Sequence, residues 1–213
     1  MTRILIMNSM YSIIILAGGK SSRMGLNKTR ICLAGKTMLE RVLAKIELEG
    51  NEIIIVTNED LRFPDDKITI VPDFYRDYGA LAGLHAGLKA ANNDQVLVVA
   101  IDMPFINIDL FNYMKKQMVP GIDVVIPCIG TSLEPFHALY RRSSCLPAIE
   151  NAIQTQSKRI ISFFPLVKVV KVDESVIAAM DPDGLAFFNI NTPEDLKRAE
   201  QIIAQIEKPS SNS

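Results

Sequence analysis

Tryptophan is absent from this chain of 213 residues, histidine occurs twice and cysteine three times. Each scarcity removes a class of protein. Cys32, Cys128 and Cys145 are odd in number, far apart and without a Cys-x-x-Cys pair, so neither a disulfide framework nor a zinc site is expected. Reduced thiols are the expectation, and they suit a cytoplasmic protein. His85 and His137 lack a spaced His or Cys companion, and no Ser-His-Asp set is readable. Net charge is scarce as well: 23 Lys and Arg against 24 Asp and Glu leave −1. No bulk field draws nucleic acid or an anionic membrane surface, so neither is expected as a partner. An anionic ligand would have to be held by local groups. Long apolar runs are missing too, none nearing the roughly 18 residues of a membrane span. The two short runs near the start, 4–7 and 13–16, are parted by Asn8 and Ser9. The second leads directly into Gly18-Gly19-Lys20 with no small-residue cleavage site, so it reads as a buried strand and not as a signal peptide.

What is present is an ordinary globular composition, 48% hydrophobic, in a chain long enough to bury a sizeable core. Short β-branched runs at 12–16, 52–57, 68–71, 95–101, 124–127 and 167–172 are almost continuously apolar. That pattern predicts strands buried on both faces, as in a parallel sheet covered by helices. Helical patterns alternate with them. Residues 38–49 place Leu39, Val42, Leu43 and Ile46 at helical spacing. Further helices are predicted at 80–91, 108–118 and 145–154. A last one opens with Thr192 as N-cap, Pro193 at the first position and Glu194 and Asp195 in the first turn, and runs to about residue 206. Strand–helix alternation throughout predicts a single α/β domain over 1–207 with a mainly parallel sheet, and a disordered tail at 208–213. In such sheets ligands sit at the carboxyl ends of the strands.

The first strand ends in a loop, Leu16-Ala17-Gly18-Gly19-Lys20-Ser21-Ser22-Arg23-Met24-Gly25-Leu26-Asn27-Lys28. Glycines let the backbone come close to phosphates and turn its N–H groups toward them. Arg23 and Lys28 add the positive charge a triphosphate needs. A Walker A loop is excluded, because Arg30 stands where the first glycine before Gly35-Lys36-Thr37 belongs. The Rossmann Gly-x-Gly spacing is excluded because Gly18 and Gly19 are adjacent. Taken alone, Gly18-Gly19 would mark only a strand-to-helix turn; the whole basic, glycine-rich set after the first strand favours phosphate binding. At the end of the run 95–101 stands Asp102-Met103-Pro104. A carboxylate there faces the ligand crevice, and one or two carboxylates plus substrate phosphates are how Mg²⁺ is usually held.

The loop resembles the signature L-A-[AG]-G-x-x-x-R-[ML]-G-x-x-K of nucleotidyltransferases that activate sugars or cofactors, and Leu-Ala-Gly-Gly is similar to the guanylyltransferases of molybdenum cofactor biosynthesis. Asp102-Met103-Pro104 resembles the D-x-P element of those proteins. Asp73, ahead of Tyr78-Gly79-Ala80-Leu81-Ala82-Gly83, resembles their aspartate before a G-P-L-A-G segment, with Ala80 in place of the usual proline. Glu134 to Tyr140 and Phe187 to Leu196 resemble two later segments, P-L-x-A-L-Y and F-x-N-x-N-T-P-E-[DE]-L.

The resemblance spans about residues 13–203. It implies a single-domain Rossmann-like nucleotidyltransferase fold with a mainly parallel twisted sheet flanked by helices. It also implies residue roles. Leu16, Ala17, Gly18 and Gly19 contact the nucleotide, Lys28 and Arg23 its phosphates. Asn58 and Asp73 give further nucleotide contacts, and Asp102 ligates Mg²⁺. Asn189 and Asn191, read as alternating on one strand face, stand near the acceptor. The implied reaction transfers GMP from Mg²⁺-GTP to the terminal phosphate of the molybdopterin cofactor and releases pyrophosphate, with a handover protein for the pterin. The competing readings are a cobinamide-phosphate guanylyltransferase, a molybdopterin cytidylyltransferase and a nucleotide-binding regulator without catalysis.

Overall fold

The computed structural model describes residues 10–18, 28–46, 52–63, 65–75 and 78–207. The expected disordered tail at 208–213 lies outside the described residues. In chain order the elements are β1 (Tyr11–Leu16), β2 (Cys32–Leu33), β3 (Lys36–Thr37), α1 (Met38–Ile46), β4 (Glu52–Val56), β5 (Ile68–Val71), α2 (Gly79–Ala90), β6 (Gln95–Ala100), α3 (Ile108–Gln117), β7 (Val124–Ile129), β8 (Ser132–Leu133), β9 (His137–Arg141), α4 (Arg142–Gln154), β10 (Val169–Val172), α5 (Glu174–Met180) and α6 (Pro193–Ile206). The main sheet runs β10-β7-β9-β6-β1-β4-β5, with β8 added to β7. Pairings β1–β4, β1–β6, β4–β5 and β7–β10 are parallel, and β9 lies antiparallel between β6 and β7. The expected α/β fold with a mainly parallel sheet is therefore the observed one. No described helix is long and apolar enough to cross a membrane.

The continuous apolar runs have a simple cause. Along β1, Ile13 and Ile15 enter a cluster with α1 and α3, and Ile14 and Leu16 enter a separate cluster with α2 and α4. Successive strand side chains point to opposite faces, and here neither face meets water. Helix α2 lies so close on β1 that a Cβ at Gly87 would sit 2.6 Å from the Ile14 side chain, and one at Gly83 would sit 3.1 Å from Leu16. Gly83 and Gly87 inside one helix, normally a cost to helix stability, are here the condition for that approach.

Several expectations change. Strand β10 begins at Val169 and not at 167. Helix α4 begins at Arg142, three residues before the expected start, and takes Pro147 inside it. Its opening amides are held by Asp94, whose main-chain oxygen accepts from Arg142 N at 2.7 Å and whose carboxylate accepts from Ser143 N at 2.8 Å. Helix α5, strand β9 and the β2–β3 hairpin were not anticipated. In that hairpin Ala34 and Gly35 form the tight turn, with φ of +47° and +79°, and Lys36 and Thr37 are the returning strand, so Gly35-Lys36-Thr37 is not a phosphate loop. Residues 188–192 form no strand, so Asn189 and Asn191 do not share a strand face.

The amino ends of the strands are clamped by a polar network. The Glu52 carboxylate accepts from Ser12 Oγ at 2.5 Å, from Asn92 N at 3.0 Å and from Asn92 Nδ2 at 2.5 Å, and Asn93 donates to Ser12 Oγ from its main chain and side chain. This ties β1, β4 and the α2–β6 connection together at the end of the sheet opposite the crevice.

Candidate active site

Parallel strands that end in polar loops build a crevice above the sheet. Ala17 N donates to Val56 O at 2.9 Å and Ile101 N donates to Leu16 O at 3.1 Å, so the ends of β1, β4 and β6 are locked level. Above them opens a cavity of about 1390 Å³. Leu16, Gly18, Lys28, Asn58, Asp73 and Asp102 all line it. These residues come from five places in the chain, and the fold brings them to one wall. Ala17 does not reach the cavity; its side chain is buried in the core beneath. Gly19 and Arg23 lie outside the described residues.

The chemistry concentrates on Lys28. It opens a short 3₁₀ turn, Lys28–Arg30, that follows the glycine-rich loop. Its Nζ donates to Asp102 Oδ2 at 2.5 Å and to Asn191 Oδ1 at 3.0 Å. Both ends of the ion pair are mostly sheltered, with side-chain exposures of 14% and 15%. Thr29, the next residue, is buried and donates to Glu59 Oε2 at 2.5 Å. The loop's exit is thus pinned from two sides, by the end of β6 and by the segment after β4. Sequence reading missed Glu59. Its only signal was the polar run after β4, and its partner lies 30 residues earlier.

Asn189 and Asn191 part company. Asn191 faces Lys28, whereas Asn189 Nδ2 turns back to Phe187 O at 3.1 Å. Neither lines the cavity wall.

The wall is electrostatically lopsided. Glu59, Asp60, Asp73 and Asp102 line it together with Lys28, which is the only cation among the described residues lining it. Among these described residues the carboxylates outnumber the ammonium, so a phosphate ligand there calls for positive charge from beyond them. Among the described residues no cluster of three or more His, Cys, Asp or Glu could hold a metal ion. Asp102, the carboxylate that follows β6 on the cavity lining, instead fits Mg²⁺, a hard cation that takes one or two carboxylates and completes its shell with phosphates and water.

His137, at the start of β9, lies fully buried with its ring edge-on to Phe187 at 5.7 Å, and neither ring nitrogen makes a hydrogen bond of good geometry. Burial holds its pKa down to about 4, against the opposing pull of the Asn107 backbone. An unfolded histidine titrates near 6.5. Between those values the unfolded chain binds a proton that the folded protein refuses. Stability is therefore expected to fall as pH drops from about 6.5 to about 4, by up to about 3 kcal/mol, with no further loss from this group below that. Urea unfolding across this range should show a flatter pH dependence for His137→Gln; an unchanged slope would remove His137 as the cause.

Residues 13–169 match the MobA-like NTP transferase domain. The chain belongs to that family. Members of the MobA-like family are nucleotidyltransferases, and this chain is an enzyme of that kind. A probable molybdenum cofactor guanylyltransferase of Pelotomaculum thermopropionicum is 39% identical over 189 residues, 87% of this chain and 90% of that protein. The molybdenum cofactor guanylyltransferase of Desulfosudis oleivorans is 34% identical over 191 residues, 89% and 94% of the two chains. Among solved structures, molybdopterin-guanine dinucleotide biosynthesis protein A of Archaeoglobus fulgidus superposes with a TM-score of 0.78 at 30% identity, covering 91% of this chain and 99% of the other. The 4-diphosphocytidyl-2C-methyl-D-erythritol synthase of Anaerococcus prevotii, at 19% identity and TM-score 0.69, shares the MobA-like fold.

Proposed function

We propose that this enzyme transfers GMP from Mg²⁺-GTP to the terminal phosphate of the molybdopterin cofactor. An oxygen of the acceptor phosphate attacks the α-phosphorus of GTP. The α–β phosphoanhydride bond breaks, and pyrophosphate leaves with the electron pair. The acceptor oxygen is already anionic at neutral pH, so no general base is required. Catalysis then rests on alignment and on charge placed where the leaving group develops it.

The observation that carries this reading is the convergence of Lys28 and Asp102, 74 positions apart in the chain, at 2.5 Å on the cavity wall. Asp102 would hold Mg²⁺, which when bound screens the phosphates and favours departure of pyrophosphate. Lys28 would exchange its carboxylate partner for phosphate oxygens. Arg23 and the amides of Gly18 and Gly19 would add donors to the phosphates. Leu16 would form the floor under the base or ribose, with Asn58 and Asp73 reading polar groups of the nucleoside. Nucleotide and pterin are the ligands in this reading, with no nucleic acid or membrane involved. A cytoplasmic location and a protein that hands over the pterin belong to the same reading.

The choice of guanine is supported by the curated relatives named as guanylyltransferases. It is tested by thermal unfolding with Mg²⁺ and each nucleotide in turn. GTP at 100 times its dissociation constant should stabilise the protein by about 2.7 kcal/mol. CTP and ATP at the same concentration should do little. Stabilisation by CTP and not GTP would overturn the guanine assignment, and failure of every nucleotide would overturn the site.

A further inference from the structure

The family match ends at residue 169, yet a segment well beyond it returns to the centre of the site. Ile190 N donates to the main-chain oxygen of Asp102 at 2.9 Å, and the Ile190 side chain is fully buried. The next residue, Asn191, places Oδ1 on Lys28 Nζ. Its own backbone N–H is taken by Asp195 Oδ2 at 3.0 Å, the oxygen that also accepts from Thr192 N at 2.8 Å. Asp195 N in turn donates to Thr192 Oγ1 at 3.1 Å, which closes a reciprocal cap on α6. The Asn191 and Thr192 amides hold the Asp195 carboxyl below its usual range, which marks these bonds as made to the ionised form.

We propose that Asn191 and Asp195 are positioning residues for Lys28, and that residues 190–195 are a strap setting the ammonium beside Asp102. The inference deepens the nucleotide reading of this site and rests on it for its functional consequence. In the sequence alone Asn191 stood with the acceptor phosphate. Its amide oxygen instead accepts from Lys28, an arrangement that serves the donor nucleotide. Asp195 touches neither Lys28 nor the cavity. It acts through the backbone of Asn191, because an N-cap partner fixes the φ/ψ of the residues it binds. An Asp at this position thus does more than begin a helix: it sets the angle at which the preceding side chain meets the lysine.

The test has two arms. In the nucleotide-free protein, the rate at which Lys28 is acylated by a small amine-reactive ester is followed by mass spectrometry. Asn191→Ala and Asp195→Ala should each speed Lys28 modification relative to wild type without changing the rates at exposed lysines such as Lys36. Asp195→Asn, which keeps an accepting oxygen, should fall back toward wild type. In the second arm, Mg²⁺-GTP binding is measured by calorimetry without any acceptor. Asn191→Ala should bind about tenfold more weakly, the change expected when one hydrogen bond to a charged group is lost. Adding it to Lys28→Ala should bring no further loss. Unchanged Lys28 reactivity in both alanine variants would overturn the proposal, and so would losses in binding that add to that of Lys28→Ala. If wild type bound no nucleotide, the function proposed above would fail while the first arm still decided whether the strap holds the lysine.

Discussion

Lys28→Ala is expected to lower guanylyl transfer by about 10³-fold or more while leaving the fold intact. The magnitude follows from what one well-placed charged donor contributes to a phosphoryl-transfer transition state. The ammonium is sheltered, so its field is less screened by water than that of a surface lysine. Its neighbours on the described cavity wall are acidic, so nothing among them could take over its charge. The loss should fall mainly on kcat, since charge on the leaving pyrophosphate grows only as the bond breaks. Single-turnover kinetics with saturating Mg²⁺-GTP would measure it. A variant within a few-fold of wild type would show that loop groups beyond the described residues do the work alone.

Asp102→Asn should be equally damaging to turnover, for a different reason and with a distinguishable signature. The amide keeps the shape and an accepting oxygen but loses the charge that makes a carboxylate a Mg²⁺ ligand. It also releases Lys28 from its ion pair. Without metal, the variant should therefore bind GTP at least as well as wild type, because the ammonium no longer has to leave a carboxylate to meet phosphate. With Mg²⁺ present, wild type should gain affinity and the variant should not. Calorimetry with EDTA and with Mg²⁺ separates the two states. Near-normal transfer by Asp102→Asn would end the metal assignment, and equal Mg²⁺ dependence in both proteins would end the explanation offered for it.

What the sequence revealed and what it hid divide along physical lines. The runs that became β1, β4 and β6 were legible because both faces of the sheet are buried there, which leaves each strand almost continuously apolar. Helix α6 was legible because its cap is local, Thr192 with Asp195. The start of α4 was not, because its amides are held by Asp94, 49 residues away from Ser143. Helix α5 has seven residues and a single buried side chain, Ile177, too little for a helical period to register. The site shows the same division. Gly18 and Asp102 announced themselves by residue type just after strands, Lys28 by its charge at the end of the glycine-rich loop, and Leu16 through the family resemblance. The grip of Asn191 on Lys28 crosses 163 positions, and no spacing rule reaches that far. Asn189 has the same residue type two positions earlier, yet its side chain bonds locally, so composition alone could not tell the pair apart.

The clamp of Ser12, Glu52, Asn92 and Asn93 lies at the end of the strands remote from the cavity. The polar bonds that staple the sheet and the polar groups that line the cavity therefore occupy opposite ends of the strands. Changes that tighten or loosen that far end should shift the melting temperature with little effect on catalysis. Laboratory evolution for heat resistance would find its freest ground there, far from the residues under chemical constraint.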